Sequence, residues 1–282
     1  MLLVTERGHA LAAEPPHLIN QDASALSGKK ASFTFAVIGD NRSGEKIYGK
    51  LAGRIAGESP AFVVNTGDTV FRAGSGSQWK EFVELSAPIK APHFIVPGNH
   101  DVNGRKSEAL FQERVRQPGN ELYYSFTAGN ALFVVLDTEE PDNEARIAGE
   151  QYTWLEGVLK GSHAKFRFVF MHRPMYPVRG VGRHYKDSMN RFPADRDRLE
   201  ALFEKHGVDA VFCGHEHMYQ KQKVGGIYHI VTGGGGAPLY EKESDGGFHH
   251  YVKVTVGNGS AEVSVIGLGG DIKDSFTIPK GR

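Results

Sequence analysis

The stretch VFCGHEHMY, residues 211–219, sets His215 and His217 two apart directly behind an apolar run, with an acid between them. Four other apolar runs end the same way. FTFAVIG is followed by Asp40, AFVVNTG by Asp68, HFIVPG by Asn99 and FRFVFM by His172. These six side chains offer only oxygen and nitrogen. They suffice for two divalent ions if Asp68 bridges them, and they suit manganese, iron or zinc better than a metal bound through thiolates. Each fragment alone is commonplace, so the weight lies in their order and placement. Rival readings of GHEH fail on the residues. A zinc protease motif needs a second His four after the first, and a metallo-β-lactamase pattern needs an Asp there too, but Tyr219 occupies that place. A zinc deaminase needs paired cysteines, and Cys213 is the only one in the chain.

Something must carry these residues to one point. Each of the five runs is almost continuously apolar, the pattern of a strand covered on both faces. Helical spacing predicts helices over 45–58, 77–86, 147–160 and 194–206, so the chain reads as βα units around a mainly parallel sheet. LYYSFTAGNALFVVLD reads as a hairpin turning at Ala128, Gly129 and Asn130. After the glycine-rich TGGGGAPLY, short alternating segments such as HHYVKVTV and AEVSVIG predict a second sheet. Ligands of open α/β sheets gather beyond the carboxyl ends of the strands, and all five runs stop there.

The length of 282 residues fits one large α/β domain over 31–282, with 1–30 expected as a poorly ordered tail. Lysine plus arginine and aspartate plus glutamate both number 33, so no broad basic surface for nucleic acid is expected. The longest apolar run, ALFVVL, is far short of a membrane span. The opening MLLVTERGHALAAEPP has too short an apolar stretch for a secretory signal, which as written implies the cytoplasm. Its ALAAE patch would suit a cleavage site in a longer, periplasmic or secreted precursor.

In their order, GDNRSG, NTGDTVF, PGNHD, FMHRPMY and CGHEHMY resemble the signature of the calcineurin-like metallophosphoesterase superfamily, to which the purple acid phosphatases are related. The resemblance implies two mixed β-sheets sandwiched between helical layers. It implies two divalent or trivalent ions (manganese, iron or zinc): Asp40 and His217 on the first, Asn99, His172 and His215 on the second, and Asp68 on both. It also implies a phosphoester hydrolase, foremost a phosphomonoesterase, with a metal-bridging hydroxide as nucleophile and His100 as general acid. The substrate would be a small phosphorylated molecule or a phosphoprotein. The alternatives are a phosphodiesterase of cyclic nucleotides or phospholipid headgroups, and a non-catalytic binding module.

Two positions depart from the pattern. Arg42 stands where many members carry His, and Phe71 where some carry Asp and purple acid phosphatases carry Tyr. Phenylalanine cannot ligate, so the first metal is left short. Arg42 suits either a clamp on phosphate oxygens, with Asn41 beside it, or an ion pair with a neighbouring acid. Asp101 is expected to fix a turn. Arg179, Arg183, His184 and Tyr185, in the loop after His172, are candidates for phosphate or leaving-group contact, with a solvated loop as the plainer reading. TGGGGAPLY lacks the Lys and Ser/Thr of a P-loop and reads as a tight turn near the metals.

Overall fold

The computed structural model describes residues 19–26, 28, 32–176, 184 and 186–279. In chain order its elements are β1 (Ile19–Asn20), β2 (Phe33–Ile38), α1 (Glu45–Glu58), β3 (Val63–Asn65), α2 (Gly76–Ser86), β4 (His93–Ile95), α3 (Arg105–Arg114), β5 (Val115–Arg116), β6 (Tyr124–Ala128), β7 (Ala131–Val135), α4 (Gly149–Gly161), β8 (Phe166–Met171), α5 (Pro193–Lys205), β9 (Ala210–Cys213), β10 (Tyr219–Val224), β11 (Ile227–Thr232), β12 (His250–Val256), β13 (Ser260–Gly267) and β14 (Ile272–Pro279).

Two six-stranded mixed sheets run in the orders β14-β13-β12-β2-β3-β4 and β10-β11-β9-β8-β7-β6. In the first, β2, β3 and β4 are parallel, and β12 to β14 are added antiparallel along the free side of β2. The C-terminal strands therefore extend the sheet begun by the first third of the chain, and the second sheet comes from the middle. The alternating pattern identified the strands but not their partner, because pairing β12 with β2 is a contact across the whole sequence.

Period-2 geometry explains the continuous apolar runs. Phe33, Phe35 and Val37 of β2 point into a core shared by both sheets, while Ala36 and Ile38 point to Tyr48, Leu51 and Ile55 of α1 and Trp79 and Phe82 of α2. In the other sheet Phe168 and Phe170 of β8 face that shared core, and Val169 and Met171 face Leu155 and Leu159 of α4 and Leu199 and Phe203 of α5. The result is helices, sheet, sheet, helices. At its centre Phe35 stacks on Phe62 at 5.3 Å, and Phe133 meets Phe62 edge-on at 4.9 Å. Each such side chain contributes about 1.5–3 kcal/mol through burial. This inter-sheet core holds the two sets of strand ends at a fixed separation.

Within the stretch expected as a tail, Ile19 is buried, and Ile19–Asn20 pair in parallel with Val115–Arg116 of β5. Residues 1–18 lie outside the described residues. Among the described residues no helix is long and apolar enough to cross a membrane.

Candidate active site

β2, β3 and β4 of one sheet and β8 and β9 of the other end side by side, and each is followed within four residues by one of the six side chains. The turns are lashed to one another: Asp40 N donates to Gly67 O at 2.9 Å, Arg42 N to Asp68 O at 3.1 Å and Gly214 N to His172 O at 3.0 Å. Asp40, Asp68 and His215 adopt φ of 57°, 55° and 70°, the left-handed region that non-glycine residues seldom visit. Such strain costs on the order of 1–3 kcal/mol per residue and persists only where the surroundings impose it. A Cβ at Gly98 would strike the main chain and carboxylate of Asp68, and one at Gly214 would strike the carboxylate of Asp40, which is why glycine precedes the polar residue at these strand ends.

Main-chain carbonyls set the imidazoles. His172 Nδ1 donates to Thr66 O at 2.8 Å and His217 Nδ1 to Pro238 O at 2.7 Å, so each turns Nε2 inward. His172 Nε2 then lies 3.0 Å from Asn99 Oδ1, 3.2 Å from His215 Nδ1 and 3.3 Å from Asp68 Oδ1. His217 Nε2 lies 3.6 Å from Asp40 Oδ1. Ligand atoms of Asp40, Asp68 and His217 all fall within 4.8 Å of one another, so these three could hold a cation. His184, Asp187 and His215 form a second group by the same measure, on the loop side. The other ring nitrogen of His215, Nε2, is buried without a hydrogen-bond partner.

Burial makes the cluster electrostatically expensive. It drives Asp40, helped by the neighbouring Asp68 charge, well above the ordinary carboxylate range. It also drives Asp68 upward, but His172, His100 and Arg42 together outweigh it and hold that carboxyl low. Burial, then the nearby His172, pushes His215 well down, and burial pushes His217 down to about 4. A neutral His217 with its lone pair turned inward, beside the ionised Asp68 carboxylate, suits a cation.

His100 sits beside this cluster. Its N–H donates to Asp68 Oδ1 at 2.9 Å, and its Nδ1 donates to Phe71 O at 2.9 Å, leaving Nε2 as the outward nitrogen. Phe71, 42% exposed at the rim, stacks on the His100 ring at 5.1 Å. The residue that cannot ligate therefore orients the imidazole with both its carbonyl and its ring. Asp101, fully buried, accepts from Thr69 N at 2.9 Å, Val70 N at 3.0 Å and Gly98 N at 3.2 Å, which ties the Asp68 turn to the Asn99 turn as expected. Burial and the Asp68 charge push its carboxyl up to about 8.

Asn41 braces two loops: its amide donates to Thr69 O at 3.0 Å and accepts from Asn65 Nδ2 at 2.7 Å, which leaves one of its two N–H groups for a further partner. Arg42 takes the ion-pair alternative: Nε donates to Asp68 Oδ2 at 3.0 Å, and Nη2 stands 3.5 Å from His217 Nε2. His184 does reach the site, its ring 4.4 Å from that of His215, with its N–H donating to Glu216 Oε1 at 3.1 Å. Arg179, Arg183 and Tyr185 lie outside the described residues. Tyr240 joins the site without a motif to mark it. Its ring stacks on His217 at 4.1 Å, and its hydroxyl lies 3.3 Å from His217 Nε2 and 3.1 Å from His184 Nε2. Its one sequence signal is that it closes TGGGGAPLY, the loop after β11, itself a strand-end loop on the same side.

Larger hollows exist at the amino ends of the strands, about 400 Å³ around Arg167, Lys205 and Asp209 and about 770 Å³ around Phe33, Pro60 and Pro92. Among the described residues, however, the groups able to hold a cation cluster at the carboxyl ends.

The model for calcineurin-like phosphoesterases matches residues 33–219, from the first strand of the site through the second histidine of GHEH. The chain belongs to this family. A calcineurin-like phosphoesterase of this length is similar to purple acid phosphatase 23 of Arabidopsis thaliana, 30% identical over 193 residues, 63% of this chain and 40% of that one. It is also similar to the human serine/threonine-protein phosphatase CPPED1, 28% identical over 182 residues, 60% of this chain and 56% of that one. The chain thus spans about half the length of these relatives or less. Among solved structures, the yellow lupin purple acid phosphatase PPD1 shares the fold with a TM-score of 0.74 at 22% identity, over 90% of this chain and 55% of that one.

Proposed function

We propose that this calcineurin-like phosphoesterase is a metal-dependent phosphomonoesterase. The observation that carries the reading is the crowding at His172 Nε2: Asn99 Oδ1, His215 Nδ1 and Asp68 Oδ1 lie 3.0–3.3 Å from it, the spacing of ligand atoms around a shared ion. With the His172 N–H committed to Thr66 O, its Nε2 lone pair faces three other electron-rich atoms, an arrangement that a cation or proton among them would relieve. Asp68, Asn99, His172 and His215 form the better position. Asp40 and His217, with Asp68 shared, form a second and poorer one, since Phe71 supplies no oxygen. The oxygen and imidazole donors suit manganese, iron or zinc.

When bound, such ions neutralise phosphate oxygens and lower the pKa of water towards about 7, which supplies the nucleophile. The chain's own residues do the rest. Thr66 O and Pro238 O fix the tautomers of His172 and His217, so the lone pairs point inward without reorganisation. His100, held by Phe71 O, presents Nε2 outward, where it can hand a proton to the departing alkoxide. Asp101 keeps the Asp68 and Asn99 turns in register. The Tyr240 ring stacks on His217 and the His184 ring tilts against His215, so both lie over the imidazoles that would hold metal.

A monoester rather than a diester is favoured by the relatives, both named phosphatases. The test is a screen of aryl phosphomonoesters and diesters on metal-stripped protein given manganese, iron, zinc or magnesium. The reading expects metal-dependent turnover with monoesters preferred. Faster turnover of diesters would transfer the assignment to a phosphodiesterase, and no turnover with any metal would leave a binding module.

A further inference from the structure

The poorer position has a feature that a missing ligand does not explain: something already reaches into it. Arg42 Nε donates to Asp68 Oδ2 at 3.0 Å, and Nη2 lies 3.5 Å from His217 Nε2. Asp68 and His217 are two of the three residues whose ligand atoms gather within 4.8 Å there, the third being Asp40. The guanidinium therefore touches two of the three groups that would grip an ion. It is held there. The Arg42 side chain is only 13% exposed, its partner Asp68 is 2% exposed, and the Phe71 ring lies 5.6 Å from the guanidinium carbon. Where a fourth oxygen ligand is absent, an aromatic face and a permanent cation stand instead.

We propose, building on the metal-dependent reading above, that the Arg42 guanidinium serves as the built-in cation of the first position. The resting protein then holds a single tightly bound metal at Asp68, Asn99, His172 and His215, and Arg42 supplies the second positive charge. A guanidinium is a delocalised cation, so its charge opposes a metal ion at the same place. It also provides what a phosphoryl group needs from that side, since a planar fork matches two phosphate oxygens. When substrate enters, Nη1 and Nη2 are the donors available to it while Nε keeps Asp68.

The test counts metal rather than turnover, so it stands apart from the fate of the hydrolase reading. Protein stripped with a chelator is reloaded with zinc or manganese, dialysed, and assayed for metal per chain by atomic emission. Manganese samples are also examined by electron paramagnetic resonance, in which two adjacent ions couple and a lone ion does not. Wild type is expected to keep one metal and show an uncoupled signal. Arg42→Ala is expected to keep two and show coupling, with affinity for the second ion raised at least about a hundredfold by loss of the nearby positive charge. Arg42→Gln, which is neutral and close in shape, provides the same comparison should the alanine variant fold poorly. Phe71→Tyr, which adds a ligand while leaving Arg42 in place, is expected to remain at one. Two metals in wild type, one metal in both Arg42 variants, or two metals in Phe71→Tyr would each overturn the proposal.

Discussion

Asp101 gives the most direct measure of how much of the site is held by loop bracing. Its two oxygens accept from the main-chain N–H groups of Thr69, Val70 and Gly98 at 2.9, 3.0 and 3.2 Å, all buried. Asp101→Ala strands those three donors. A buried donor left unsatisfied costs about 1–3 kcal/mol, so the gross penalty is about 3–9 kcal/mol, and water entering the vacated space brings it down to about 3–5 kcal/mol. Asp101→Asn keeps one oxygen, enough for the two shorter bonds from Thr69 and Val70, and should cost about 1–2 kcal/mol. Because the braced turns carry Asp68, Asn99 and His100, both variants should also lose metal affinity, in the same order. The assay is urea unfolding of the metal-free protein, paired with metal content after dialysis. An Asp101→Ala protein within about 1 kcal/mol of wild type and with full metal content would refute the bracing argument.

Other predictions follow from the same geometry. His93 is buried with neither ring nitrogen partnered, and burial brings its pKa from the ordinary 6.5 down to about 4. Its folded-state pKa is the lower one, so the neutral ring's contribution is full above pH 6.5 and is lost as pH falls towards 4. The span is worth about 3 kcal/mol, and His93→Leu should flatten the acid limb of the stability–pH curve by that amount; an unchanged limb would contradict it. Asp68→Asn or His215→Ala should reduce hydrolysis of an aryl phosphate to background, measured on correctly folded protein. His100→Ala should lose about 10²–10⁴-fold with alkyl phosphates and far less with good aryl leaving groups, whereas equal losses across leaving groups would remove its acid role.

The strands that end at the site were legible because they are covered on both faces, which writes an unbroken apolar run just before each polar residue. Apolar spacing over 45–58 matches the ends of α1, Glu45 and Glu58. Helix α3 was missed because Phe111 is its one buried residue, too little to show a period. Partners defined by loop geometry left no local pattern. Nothing in the sequence says that Phe71 lends its carbonyl to His100, that Pro238 accepts from His217, or that Tyr240 folds over it. By residue type Arg42 suits phosphate and carboxylate equally, because both recognise the same fork. Its pairing with Asp68 follows from the Arg42 N to Asp68 O bond between neighbouring turns, which no local pattern records.

The proposal of phosphoester hydrolysis rests on metal held by Asp68, Asn99, His172 and His215. Its most direct test is a reconstitution titration: initial rate of aryl phosphomonoester hydrolysis against bound metal, for stripped wild type and for His215→Ala side by side. The account predicts no rate before metal, a rate that rises in proportion to bound metal in wild type, and a flat line for His215→Ala. Stripped protein that hydrolyses at the full rate, or a His215→Ala titration that matches wild type, would contradict it.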